Sequence, residues 1–437
     1  MKLKYIIFTF LLPALLMTSC KREEDRIFEE NASLRMTEAI ANAYGVLQGN
    51  EAGWEMKYYP SQNQEFGGYT IFAKFISNAQ VTVASDAIEN SQTSSYAVIH
   101  ESGPVLTFNG YNKSIHWYTE PGMDNGGIGA DDTGMKGDFE FIVLKATADS
   151  VVLKSKKSGT EVVMLPLNAN EFEQKAEAYQ EAAAQFSQFG VFKLEDASGD
   201  LLDIPYSSPI RIFRNPKDDS GKQMSFRVIP SGLEFYAEQE MEGVRFKTLK
   251  YVEPTAAYPY GYYTNDNTTF KIVPDVTPLN LWFTQNLWSM SYSNIGPLTA
   301  SYWDVARGKL AAANFTMSNL YVGNVSLVAS GFGGGVLFAL NDWVAVGAGS
   351  YTITPVQGTI DEVRFTFLGG YGLNAGFTGT HYNAGPTDIL VPFNGRTFKI
   401  TSEEGLEKPS IIMLTDNQLP DNFMRVFLEE INDPLNN

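Results

Sequence analysis

Only three side chains of this sequence can offer an imidazole: His100, His116 and His381. Two of them, in Val98-Ile99-His100-Glu101 and Ser114-Ile115-His116-Trp117, fall on runs that read as neighbouring strands. Cross-strand pairing can then bring His100 and His116 together beside Glu101. Two imidazoles with a carboxylate suit zinc, and two imidazoles suit a haem iron. The same spacing is equally met by two separate strand-end histidines, because a loop between strands fixes no register. A second constellation is the loop Pro121 to Gly134, which sets Asp124, Asp131 and Asp132 among glycines. Hard oxygen ligands at close spacing are what calcium accepts, and a long loop at the rim of a sheet also serves as a ligand gate or as plain solvated chain. No other cofactor is implied.

Aromatic residues make the third group. Tyr258, Tyr260, Tyr262 and Tyr263 crowd a Pro/Gly segment, followed by Trp282, Trp288, Tyr292, Tyr302 and Trp303. Exposed flat rings stack on the apolar face of a sugar or a planar cofactor, whereas the same residues turned inward are core. Tyr258, Tyr260, Tyr262, Trp282, Trp288 and Trp303 are therefore the candidate ligand-binding residues. Catalytic signatures are missing. There is no Gly-x-Ser-x-Gly elbow, no His-Glu-x-x-His helix and no Walker loop. The adjacent acids Asp361-Glu362, Glu403-Glu404 and Glu429-Glu430 point to opposite faces if they lie on strands, so none makes a paired-carboxylate site by itself.

The lone cysteine, Cys20, has a different chemistry. Lys2 and Lys4 precede a 13-residue apolar run from Tyr5 to Met17, interrupted by Pro13 and followed by Thr18-Ser19-Cys20. A bilayer-spanning helix needs about 20 apolar residues, so the run reads as a secretory signal peptide. Leu16-Met17-Thr18-Ser19-Cys20 resembles a lipobox, which makes Cys20 the expected acylation site and first residue of the mature chain. Acyl chains such as palmitate then hold the protein to a membrane. The acids of Lys21-Arg22-Glu23-Glu24-Asp25-Arg26 are similar to the export signal of surface lipoproteins, although a charged tether with no address value has the same composition.

The elements that must position these residues are mostly strands. The chain has 437 residues, 44% hydrophobic and 19% charged, which gives a globular protein of more than one folding unit. Acids exceed bases, 50 to 32, so a phosphate-binding groove for nucleic acid is excluded as the main activity. Residues 1–19 are the signal segment and 20–32 the tether. Residues 33–167 read as a helix capped by Ser33 and then an antiparallel meander, with strands near 80–85, 95–100, 104–108, 114–118, 138–146, 150–156 and 160–165. Residues 168–190 read as a connecting helix with Phe172, Ala176, Tyr179, Ala183 and Phe186 on one side. Residues 191–437 read as one C-terminal β-rich domain, with Asn280 to Phe283 among its strands. The fold class is thus mainly β with a few helices: two antiparallel barrel or sandwich domains joined by a helix.

The run Arg35 to Ala39, then Gly53-Trp54-Glu55-Met56-Lys57-Tyr58-Tyr59-Pro60, Gly67-Gly68-Tyr69, Gly137-Asp138-Phe139-Glu140-Phe141 and Gly232-Leu233-Glu234-Phe235-Tyr236 resembles a domain-of-unknown-function family of Bacteroidetes surface lipoproteins. Such proteins are associated with SusC/SusD-like uptake systems. The resemblance implies an outer-membrane, lipid-anchored binding or accessory component of a TonB-dependent transporter, and it supplies no catalytic residues. An extracellular hydrolase and a structural or adhesive protein are the competing functions.

Overall fold

The computed structural model describes residues 31–101, 103–124, 127–206 and 210–437. The signal segment 1–19 and Cys20 lie outside the described residues. Strands account for 39% and helices for 21%, and the sheets are antiparallel, so the chain is mainly β with few helices.

Helix α1 (Ala32–Gly49) is capped by Asn31, whose side chain accepts from the Leu34 N–H at 2.7 Å. Asn31, rather than Ser33, does this because it immediately precedes the first helical residue. The helix buries Ala43 and Leu47 against the first sheet, where the Trp54 indole N–H donates to the Leu47 carbonyl.

That first sheet has nine strands. Trp54–Tyr58 is an interior strand, flanked by Tyr69–Phe75 on one side and by the central strand Glu161–Pro166 on the other. Its two edges are Ile88–Ser95 and Ala97–His100, consecutive strands separated by Tyr96 alone, so the sheet must curl until its edges meet. Alternate residues Trp54, Met56, Tyr58, Ile71, Ala73, Val151, Leu153, Val162 and Met164 fill the inside. The edge Ile88–Ser95 escapes a periodicity search because its residues are almost all polar and exposed.

Residues 114–118 are not a strand. Asn112 accepts from the Ser114 N–H and donates to the Gln92 carbonyl and the Ser94 hydroxyl, pinning a short helix α2 (Lys113–His116) that runs into a 3-10 turn at Trp117–Thr119. The Asn cap outweighs the apparent alternation of Ile115 and Trp117.

Helix α3 (Glu171–Ser187) joins two cores. Its first half packs Phe172 and Ala176 on the outer face of the first sheet, against Phe72 and Ala84. Its last turn inserts Phe186 into a second sheet, beside Phe192, Phe213, Phe226 and Tyr263. This sheet has eight strands between Phe192 and Pro274, and its edges, Leu201–Ile204 and Ile212–Arg214, are linked through a bridge between Tyr206 and Phe213.

Residues 191–437 hold two sheets, because the chain goes on from the second into a closed eight-stranded barrel, Leu287 to Phe427. Asn280 to Phe283 belongs to helix α4 (Leu279–Gln285), not to a strand. Helix α5 (Pro297–Ala312) turns Trp303, Ala306 and Leu310 into the barrel core, and Ile389, Leu390 and Phe393 join them there. The barrel is a packed core and not a channel.

Candidate functional site

The candidate aromatic residues separate into three environments. Trp288 and Trp303 have no exposed surface and belong to the barrel core. Trp282 is half-buried, and its indole N–H is spent on the Pro409 carbonyl at 3.1 Å. Burial of large apolar area outweighs any surface role for these three. Tyr258 and Tyr262, half-buried and 4.8 Å apart between ring centres, enclose the Lys271 ammonium, which lies 5.0 Å and 5.7 Å from the two rings. Glu195 accepts from the Tyr258 hydroxyl and from Lys271. Burial alone would raise the Glu195 carboxyl, but these hydrogen bonds outweigh it and hold it below the usual range. This cluster is already internally satisfied.

Tyr260 differs. It is 7% exposed and its hydroxyl, also buried, has no hydrogen-bond partner. Its ring packs edge-on against Phe189 at 5.2 Å, at the wall of a cleft of about 500 Å³ between the second sheet and the barrel. Phe189, Pro259, Leu279, Ile360 and Leu406 supply apolar lining, while Gln185, Asp361, Lys399 and Ser402 supply polar groups. Gln185 is anchored by donating to the Tyr251 hydroxyl at 2.7 Å, which in turn donates to the Tyr260 carbonyl. Lys399 and Asp361 face each other at 3.8 Å. Burial, and then the negative charge of Asp361, push the Tyr260 phenol up to about 12, so it is a neutral donor at physiological pH. A pocket with apolar walls and few converging polar groups is the form that small-molecule sites take.

Of this lining the sequence singles out Tyr260 as a ligand-binding candidate and Asp361 only as one of an adjacent acid pair. Gln185, Asp361, Lys399 and Ser402 come from three other places in the chain, and only the packing of Ile360 and Leu406 onto the second sheet unites them.

The metal candidates do not assemble. His100 is exposed on its strand, whereas the His116 ring, on helix α2, stacks on Phe139 at 4.7 Å with Nδ1 3.0 Å from the Asn112 carbonyl. Asp124, Asp131 and Asp132 are exposed, and among the described residues no three His, Cys, Asp or Glu side chains gather as a ligand set. The helical turn at 113–116 takes His116 out of the strand pairing that the site needs.

No curated protein matches this sequence. Among solved structures, isotype 1 transferrin binding protein B from Neisseria meningitidis is 8% identical with a TM-score of 0.12, over 82% of this chain and 64% of that one. The chain thus spans under two thirds of that protein's length. The Helicobacter pylori beta clamp bound to a DNA ligase peptide is 8% identical with a TM-score of 0.11, over 91% and 98%. At such scores neither likeness carries a fold or a function. Residues 24–253, more than half of the sequence, match the model of a domain of unknown function (DUF4302), and the chain belongs to that family.

Proposed function

We propose that the protein is a lipid-anchored binding component of an outer-membrane nutrient uptake system, acylated at Cys20 and facing the cell exterior, where it passes a ligand to a SusC/SusD-like TonB-dependent transporter. The observation that carries the binding part is the cleft beside Tyr260, with its unpartnered hydroxyl and its walls contributed by both the second sheet and the barrel. The sequence around Cys20 supports the anchor.

Two experiments test it. Cells fed a clickable palmitate analogue label the wild-type chain and not Cys20→Ala, and protease added to intact cells removes the labelled chain; equal labelling of both, or protection from protease, overturns the surface anchor. Glycan and peptide arrays probed with the detergent-solubilised chain give a signal that Ser402→Trp, which narrows the cleft from a half-buried position, abolishes. A signal unaffected by that change overturns the site.

A further inference from the structure

A second cavity lies where the first sheet, helix α3 and the edge of the second sheet meet. It holds about 300 Å³, the liquid volume of roughly ten waters at ~30 Å³ each. Its wall contains a buried ion pair: Arg211 donates through one guanidinium nitrogen to Asp86 Oδ2 at 2.6 Å and to the Gly68 carbonyl at 3.0 Å. The other Asp86 oxygen, Oδ1, is buried with no partner, and so is the Tyr69 hydroxyl. Two orphaned polar atoms on one cavity wall are costly, and such groups are normally hydrogen-bonded. Gln180 spends its amide N–H groups on the Ser85 and Ile88 carbonyls, at 3.0 and 2.6 Å, leaving Oε1 as its remaining polar atom. Glu89 and Ser187, both exposed, add polar groups at the rim, and the other lining residues are apolar or aromatic. Trp117 stands edge-on to Tyr69 with ring centres 5.9 Å apart, and Ile88, Ile128 and Ala183 complete it.

The charges narrow the ligand. A cation entering the cavity would meet the Arg211 guanidinium; an anion would meet the Asp86 and Glu89 carboxylates. A neutral molecule avoids both penalties. It must donate to a carboxylate oxygen, exchange a hydrogen bond with a phenol and lay an apolar face against Trp117. We infer that this cavity is a binding site for a neutral polyhydroxy ligand the size of one sugar ring, with Asp86 and Tyr69 as its hydrogen-bond partners and Trp117 as its stacking wall. The site is separate from the cleft beside Tyr260 and does not depend on it. Its lining residues, from Tyr69 to Arg211, all fall within the segment 24–253 that matches the family model.

Calorimetric titration of the full chain in detergent with glucose, galactose and myo-inositol tests this. At least one of the three binds saturably with one-to-one stoichiometry. Tyr69→Phe weakens that binding about tenfold, the loss expected for one hydrogen bond to a buried partner. Ala184→Trp, which fills the cavity from an exposed helix position, abolishes it, and Ser187→Trp from the next exposed turn does the same if the first variant unfolds. Absence of binding by all three compounds, or binding that survives both tryptophans, overturns the assignment. Binding lost in Tyr260→Phe but kept in Ala184→Trp moves the sugar to the other cleft and overturns it as well.

Discussion

The two junctions between the three β units are built on opposite principles. Between the first and second sheets the contact is ionic and buried. Arg227 donates to Glu55 at 2.9 Å, to the Thr70 hydroxyl at 2.8 Å and to Glu234, while Lys57 adds a second cation to Glu234 at 2.6 Å. The Arg211–Asp86 pair lies alongside. Between the second sheet and the barrel the contact is mainly apolar, through Ile360 and Leu406, alongside a hydrogen bond from the Gly190 N–H to the Glu407 carboxylate, and it leaves the cleft beside Tyr260. A junction held by desolvated charges tolerates no loss of a partner, whereas an apolar one loses stability in proportion to the area removed. The first junction is accordingly the one more sensitive to the loss of a single partner.

The largest effect that would sharpen this contrast is Arg227→Leu, which takes from the buried Glu55 its nearest cation, leaving Lys175 at 3.7 Å, and leaves Glu234 with Lys57 alone; it costs about 3 kcal/mol in denaturant unfolding. A cost near zero would break the comparison. Next comes Gly67→Ala. Gly67 sits at φ +70°, and a Cβ there would lie 2.6 Å from that of Arg211, so the added methyl both strains the backbone and pushes the sheets apart. We expect a loss of about 2 kcal/mol. At the apolar junction Leu406→Ala, removing a half-buried side chain, costs about 1 to 2 kcal/mol, less than full burial would give. Tyr260→Phe is neutral or stabilises by up to about 1 kcal/mol, since it deletes a buried hydroxyl with no partner. The smallest difference is in pH dependence. Burial opposes ionisation of Glu234, but Arg227 and Lys57 hold its carboxyl below the usual 4.5. Its contribution is present above that value and is lost as pH falls through the lower folded one. Acid titration of the unfolding midpoint should therefore fall further in wild type than in Glu234→Gln.

The sequence made the strands legible where one face is buried. Trp54, Met56 and Tyr58 alternate because their partners line a core, and the runs 150–156 and 160–165 are found within a residue or two of their ends. Periodicity fails where burial is not alternating. Ile88–Ser95 has no buried face to show, and Ile115 and Trp117 alternate in sequence while belonging to a capped turn. The Gly67-Gly68-Tyr69 run was visible, but its use was not: glycine lets the backbone press against Arg211, 143 residues on from Gly68. Both cavities were illegible for the same reason, since each takes its walls from segments that share no local pattern. Trp288 and Trp303 show the converse, a conspicuous spacing whose meaning is filling a barrel.

One seventeen-residue helix, α3, is common property of two hydrophobic clusters, one on the outer face of the first sheet and one inside the second. Neither curled sheet can therefore melt without stripping half of that helix of its support. Amide protons at its two ends should exchange with deuterium at one shared rate, set by whichever sheet opens more readily, so that the pair behaves as a single cooperative body.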